Sequence, residues 1–393
     1  MAPKLERRTL AEAFEGLEIP SSSRAHQTDS NLGHSIHLML SSSLRGNGSI
    51  RIRSAPSKES TLLLTQDDAH YDNAEDESNS EEDIELKNYL DDIADALTKQ
   101  KSKNDSKIAE DFNKKLSQMV YGSNMLEMVG SGLDITVKLC QRIFEGEAVD
   151  DAEISDRDPI YQALRMDLVH KNKSSGHEDV LRSRQEIIQH AKAAYYMMNE
   201  VAIKGKDLSE EIILETHRLL TYKIDSPDKI PSSEYGGIYR DCPVQRGLHS
   251  FPHQSTVPKA VRDLTASLKA NIATAEESGE IDPVALAAKY CHKFVNIHPF
   301  LDGNSRTSRL ILNTILLKYG GCFVWLGTEP KDRDEYMSIS AEGFAAEAMT
   351  TQEDMDDLPD DFKPKHHKKL ATFTLNHARE TMAKVLRSLK RKD

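Results

Sequence analysis

The stretch His298-Pro299-Phe300-Leu301-Asp302-Gly303-Asn304-Ser305-Arg306-Thr307-Ser308-Arg309 decides the reading of this chain. Before it, Val284 to Ile297 carries Ala285, Ala288, Tyr290, Phe294 and Val295, a helical pattern. Pro299 cannot continue that helix comfortably. Asp302-Gly303-Asn304 is strong turn chemistry. Thr307, Leu310, Ile311, Thr314, Ile315 and Leu317 then resume helical spacing. The segment therefore reads as helix, tight loop, helix.

A glycine-containing loop that opens a helix presents free N–H groups and the positive end of the helix dipole, which together attract an anion. Arg306 and Arg309 lie three positions apart and share a helix face, and arginine forks match phosphate oxygens. Asp302 is a hard oxygen ligand suited to Mg²⁺ that bridges phosphates. His298, just before the loop, has the chemistry to take a proton from an attacking hydroxyl. Phe300 is expected to anchor the loop in the core. Singly, each residue fits a helix–turn–helix with a solvated charged loop and a capping Asp better than a functional role. The whole set at this spacing does not.

Working outward, the same periodicity predicts helices near 133–146, 157–171, 179–204, 208–221, 255–278, 282–297, 304–319, 331–347 and 366–390, with earlier ones from about 84 and over 108–129. Pro and Gly mark the breaks. Gly236 to Pro252 differs, because its glycines and prolines with Ile238, Tyr239, Val244 and Leu248 between them suggest a short β-hairpin or an irregular loop. The fold class is mainly α, with one small hairpin. Residues 1–83 read as a disordered, acidic region. Ser triplets and Arg45-Gly46-Asn47-Gly48 break its periodicity, and residues 67–85 hold ten Asp or Glu with no Lys or Arg. The expected units are thus 1–83, a helical region 84–178, a catalytic domain 179–347, and a linker with a C-terminal helix over 348–393.

Bulk properties exclude several function classes. A net charge of −13 argues against a general nucleic-acid binder, which needs clustered Lys and Arg. No run of about 18 apolar residues exists, so no membrane span is expected. Four scattered cysteines with no CxxC pair suggest reduced thiols and a cytoplasmic or nuclear protein. His292, His298 and Asp302 match no standard zinc spacing. His366-His367, between lysines, reads as a solvated helix start.

The decisive stretch resembles the Fic-family motif H-P-F-x-[DE]-G-N-G-R-x-x-R, matching at His298, Pro299, Phe300, Asp302, Gly303, Asn304, Arg306 and Arg309. It departs at Ser305, where glycine is usual. A Cβ there restricts positive φ, but a negative φ at a helix start would leave the N–H available. The resemblance implies a Fic-type helical bundle with a hairpin flap. It also implies transfer of AMP from ATP to a Ser, Thr or Tyr hydroxyl of a protein substrate, with ATP and Mg²⁺ required. By the same resemblance, His298 is the general base and Asp302 the Mg²⁺ ligand. Gly303, Asn304 and Ser305 form the anion hole, and Arg306 and Arg309 hold phosphates. Gly237-Ile238-Tyr239-Arg240 through Pro252 resembles the family's flap, so Val244, Gln245, Arg246 and Gly247 are expected to pair with the target backbone as an added strand. Ser123-Asn124-Met125-Leu126-Glu127 resembles the inhibitory signature [ST]-x-x-x-E-[GN], with Met128 in the last place. Glu127 would compete with a phosphate for Arg309. Ser338 to Gly343 fits the same short pattern but lies after the motif, so Glu127 is preferred. Fic proteins often form homodimers. The alternatives are AMP removal, another phosphate-containing donor, or a non-catalytic nucleotide-binding scaffold.

Overall fold

The computed structural model describes residues 31–55, 58–72, 85–99, 105–149, 154–246, 249–349 and 364–391. In chain order these form α1 (Leu32–Ser43), β1 (Leu44–Gly46), β2 (Ser49–Ala55), β3 (Lys58–Leu64), a 3₁₀ turn at Asp68–His70, α2 (Leu86–Lys99), α3 (Asp105–Leu126), α4 (Leu133–Phe144) and α5 (Pro159–His170). Then come α6 (His177–Met198), α7 (Glu210–Thr221), α8 (Ser232–Tyr235), β4 (Gln245–Arg246), β5 (His249–Ser250), α9 (Val257–Ser278) and β6 (Glu280–Ile281). The chain continues through α10 (Pro283–Ile297), α11 (Asn304–Ile315), α12 (Pro330–Met349) and α13 (Lys368–Lys390). The mainly helical class and the small hairpin, β4 with β5, are as expected.

α10 and α11 pack against each other at the centre, with α6, α7 and α9 on one side and α13 on another. Sequence explains why α10 starts where it does. The Asp282 side chain accepts the Ala285 N–H at 2.9 Å, and Pro283 takes the first helical position, where no N–H is needed. Ala287, Ala288, Tyr290 and Phe294 then face fully inward. α6 and α11 each run on into one turn of π-helix, Asn199–Ile203 and Leu316–Gly320.

Disorder over 1–83 is corrected for residues 31–55 and 58–72, which are folded; residues 1–30, 56–57 and 73–83 lie outside the described residues. The Asn31 side chain caps α1 by accepting the His34 N–H at 2.9 Å. Gly33 lets α1 lie directly on α3, since a Cβ there would sit 2.2 Å from the Ala109 carbonyl oxygen. Asn47 and Gly48 do not merely break periodicity. Their φ values of 55° and 64° make the primed turn that joins β1 to β2. Along β2, Ile50 and Ile52 are buried while Arg51 and Arg53 are exposed, a strand alternation. β3 then pairs in parallel with β6, Leu63 opposite Glu280 and Leu64 opposite Ile281, giving a four-stranded sheet that the sequence did not announce. His367 is also corrected: it is buried, 3.3 Å from His70, not solvated.

Candidate active site

α10 terminates on His298, whose φ of 48° and ψ of 60° are left-handed. The conformation turns the chain sharply into Pro299. Phe300 follows, fully buried and stacked on the ring of His217 from α7, with centroids 3.6 Å apart and planes within 4°. The Asn304 side chain closes the loop. Its Oδ1 accepts the Phe300 N–H at 2.9 Å, and its Nδ2 donates to the Phe300 carbonyl at 2.8 Å. Gly303, φ 76°, is the residue just before α11. A side chain there would be strained and would press on the His217 ring.

His217 was not singled out by sequence reasoning, yet it orders this loop. Its Nδ1 accepts the Gly237 N–H at 2.9 Å, so Nε2 carries the hydrogen and donates to the Asp302 carbonyl at 2.9 Å. Burial pushes the His217 pKa down to about 4, which keeps this neutral tautomer over the ordinary pH range. The only local clue was its place one helical turn from Ile213 and Leu220, on the apolar face of α7.

Seven of the expected site residues, His298, Asp302, Gly303, Asn304, Ser305, Arg306 and Glu127, line one cavity of about 250 Å³; Arg309 and the flap are not part of its lining. Asp302 Oδ1 accepts the Gly303 N–H at 2.7 Å, and Oδ2 lies 3.6 Å from Arg306 Nη2. Asn304, Ser305 and Arg306 form the first turn of α11, where helical geometry leaves backbone N–H groups without intrahelical acceptors. Ser305 is helical with negative φ, so its Cβ is accommodated and its N–H stays directed as the others are. The Asn304 side chain is committed to Phe300; only its backbone is available to an anion. Among the described residues, the buried Nη1 atoms of both Arg306 and Arg309 have no hydrogen-bond partner, while the Arg309 group also faces Tyr336. Two desolvated guanidinium nitrogens in that state are costly unless an anion completes them.

His298 lies at the cavity wall. Its Nδ1 is 3.3 Å from the Val295 carbonyl, which can only accept, so Nδ1 bears the hydrogen and Nε2 is the basic nitrogen of the neutral ring. The ring is stacked on Phe251, centroids 3.8 Å apart. Among the described residues no cluster of three or more His, Cys, Asp or Glu side chains is placed to hold a metal ion. Asp302 fits Mg²⁺ only in the form that takes one carboxylate together with phosphate oxygens.

Glu127 is brought to the site as well. Its Oε1 lies 2.8 Å from Nη2 of Arg309, which is 2% exposed. Arg309 also donates to the Ser123 hydroxyl and carbonyl, each at 2.8 Å. Ser123 and Glu127 thus hold the guanidinium jointly. Met128 stands in the left-handed region at φ 56°, which explains why the signature asks for Gly or Asn there. The turn beyond it is clasped by α6: Glu186 accepts the Gly130 N–H at 2.8 Å, and Ser183 donates to the Gly130 carbonyl at 2.9 Å. Glu342 of the second signature match instead pairs with Lys369 and Ser338 on the outside of α12. In the flap, Val244 accepts the Phe251 N–H at 3.2 Å and Gln245 pairs with Ser250. Arg246 pairs with His249 through the backbone, and Gly247 lies outside the described residues.

Residues 207–316 match the Fic/DOC family model, and all twelve residues of the quoted stretch fall inside the match. Over those residues the chain is similar to the Fic/DOC family. Curated relatives named "Protein adenylyltransferase Fic" include one from Drosophila grimshawi, 33% identical over 31% of this chain and 23% of its own length. Another, from Drosophila yakuba, is 34% identical over 31% of this chain and 22% of that protein. The chain thus spans about a quarter of the length of these relatives. Among solved structures, a Fic-domain-containing signaling protein from Bacteroides thetaiotaomicron superposes with a TM-score of 0.52 at 18% identity, covering 78% of this chain and 98% of that one. That likeness concerns the fold alone.

Proposed function

We propose that this Fic-like domain transfers AMP from ATP to a Ser, Thr or Tyr hydroxyl of a target protein. One observation carries the reading: a basic imidazole, a carboxylate and an anion-binding helix start share one cavity, and on that helix a buried nitrogen of Arg306 and one of Arg309 lack acceptors among the described residues. In the reaction, His298 Nε2 takes the proton of the target hydroxyl as its oxygen bonds to the α-phosphorus. The bond from the α-phosphorus to its bridging oxygen breaks, and pyrophosphate leaves with that electron pair. The N–H groups of the first turn of α11, with Arg306 and Arg309, stabilise the charge that grows on the leaving group. Bound through Asp302, Mg²⁺ would neutralise phosphate charge. Gln245, next to the Val244 carbonyl that Phe251 already occupies, offers its backbone groups at the flap for an added strand of the target.

Glu127 restrains the reaction in this reading. While it holds Arg309, the guanidinium cannot give the same nitrogen to a phosphate. The test is label transfer from α-labelled ATP by wild type, Glu127→Gly and Glu127→Gly with His298→Ala. Transfer should be strong only in the single variant. Equal transfer by all three would sink the role of His298. No transfer by any of them, despite ATP binding, would sink the reading in favour of another donor or a binding module.

A further inference from the structure

The strand-pairing edge of the flap is not its only contact with the chemistry. Arg240 lies in the segment that leads into the flap and is only 4% exposed. Its backbone N–H donates to the Pro299 carbonyl at 3.0 Å. Its guanidinium then fans out over three carbonyl oxygens. Nε donates to His298 at 2.7 Å, Nη1 to Cys242 at 3.0 Å and Nη2 to Pro252 at 2.5 Å. Cys242 precedes β4 and Pro252 follows β5, so one planar group joins both feet of the hairpin to the peptide of the base. Phe251, from the returning foot, lies flat on the imidazole, with the rings inclined by 17°. The underside of Phe251 meets Phe344 of α12 edge-on, at 5.6 Å.

His298 therefore takes its placement from the flap as much as from α10. Its backbone is left-handed, a conformation that a residue with a side chain keeps only when its surroundings impose it. Arg240 supplies that constraint at the carbonyl, and Phe251 supplies it at the ring. Lysine could not replace the arginine, since a single ammonium cannot span three acceptors in one plane.

Resting on the adenylyl-transfer reading above, we infer that Arg240 is a positioning residue for the acceptor half of the reaction. It fixes His298 and the flap as one unit, so that docking a target chain on the flap and aiming the base are a single event. The phosphate side of the cavity, built on α11, does not pass through Arg240.

The experiment uses the full chain with Glu127→Gly as parent, and compares Arg240→Met and Arg240→Lys in it. Histidines are labelled with ¹⁵N and the His298 signals are assigned by their loss in His298→Ala. The parent should show His298 with its hydrogen on Nδ1. In Arg240→Met that preference should collapse towards the mixture of a free imidazole. ATP affinity, measured by calorimetric titration, should stay within about twofold, while the turnover of label transfer drops roughly 100-fold, the scale expected for a reacting group displaced by an ångström. Arg240→Lys should not rescue it. An unchanged His298 tautomer, a matching loss of ATP affinity, or full rescue by lysine would each overturn the inference. Should Arg240→Met fail to fold, Phe251→Leu removes the stacked face alone and must show the same split between turnover and ATP affinity. A parent that transfers no label would remove the adenylyl-transfer reading, while the tautomer comparison would still decide whether Arg240 holds His298.

Discussion

α3 and α10 both run up to the same cavity, and just past each helix a residue with a side chain takes the left-handed conformation: Met128 at φ 56° and His298 at φ 48°. The backbone strain is alike, and the support is not. His298 is gripped from outside its own helix by the Arg240 fork and the Phe251 ring. Met128 is 54% exposed; its carbonyl takes only the exposed Lys173 ammonium, and the buried holding contacts fall beyond it, on Gly130. Strain persists where neighbours over-determine it. At His298 they act on the strained residue itself, and they leave the reactive ring aimed. At Met128 the hold on the strained residue itself is one exposed lysine, and the carboxylate beside it is 31% exposed. On the adenylyl-transfer reading proposed above, one end is a fixed part of the reaction and the other a latch with slack built in.

The largest expected effect tests the first end. In the Glu127→Gly background, His298→Ala should lower the initial rate of label transfer by about 10²–10⁴-fold, the usual worth of a positioned general base. A loss below tenfold would mean that the two ends do not differ in chemical importance. Next comes the loop that His298 opens. Asn304→Ala strips both amide bonds from Phe300 and leaves its buried N–H unpaired, which should cost roughly 2–3 kcal/mol in urea unfolding. A cost near zero would show that the loop is not held by that side chain.

A pH series sharpens the same point. The folded-state pKa of His217 lies near 4, below its usual 6.5, because burial penalises the charged ring. Over that interval the unfolded chain binds more protons, so stability rises with pH there and is lost as pH falls from about 6.5 towards 4. Between pH 7 and pH 5 this group alone should withdraw roughly 2 kcal/mol. Urea midpoints of His217→Gln should fall less over that interval than those of wild type; equal falls would contradict it. The smallest effect belongs to the other end. Met128→Gly relieves the left-handed strain and should raise stability by about 1 kcal/mol, read as a higher unfolding midpoint. A decrease would mean that the exposed methionine does more than occupy its turn.

How much of this was legible follows from how local each feature is. The helices around the site showed in their apolar spacing, because Tyr290 and Phe294, and likewise Ile311 and Ile315, lie one turn apart. The loop was legible because its parts sit within twelve residues. Glu127 could be matched with Arg309 only through a family signature, since 182 positions separate them and no periodicity links the two. The N-terminal sheet was misread because serines and an Asn-Gly pair resemble a linker until their partners are known. His217 and Arg240 act on backbone carbonyls and amides, which every residue has, so their partners leave no trace in the sequence. Arg240 shares its Gly- and Pro-rich segment with Arg246, and nothing in the sequence told the two apart.

The parallel pairing of β3 with β6 has a consequence for how the chain is made. Leu64 cannot meet Ile281 until more than 200 further residues have left the ribosome. At synthesis rates of about 5–20 residues per second, that is a wait of roughly 10–40 s. During it, the β2–β3 hairpin presents an open edge, Lys58 to Leu64, with unsatisfied backbone groups. A nascent chain that stalls before β6 would therefore expose this edge to its neighbours on a polysome. Its alternating Lys58, Glu59 and Ser60, polar at the exposed end of the strand, are the part of the sequence that discourages such pairing.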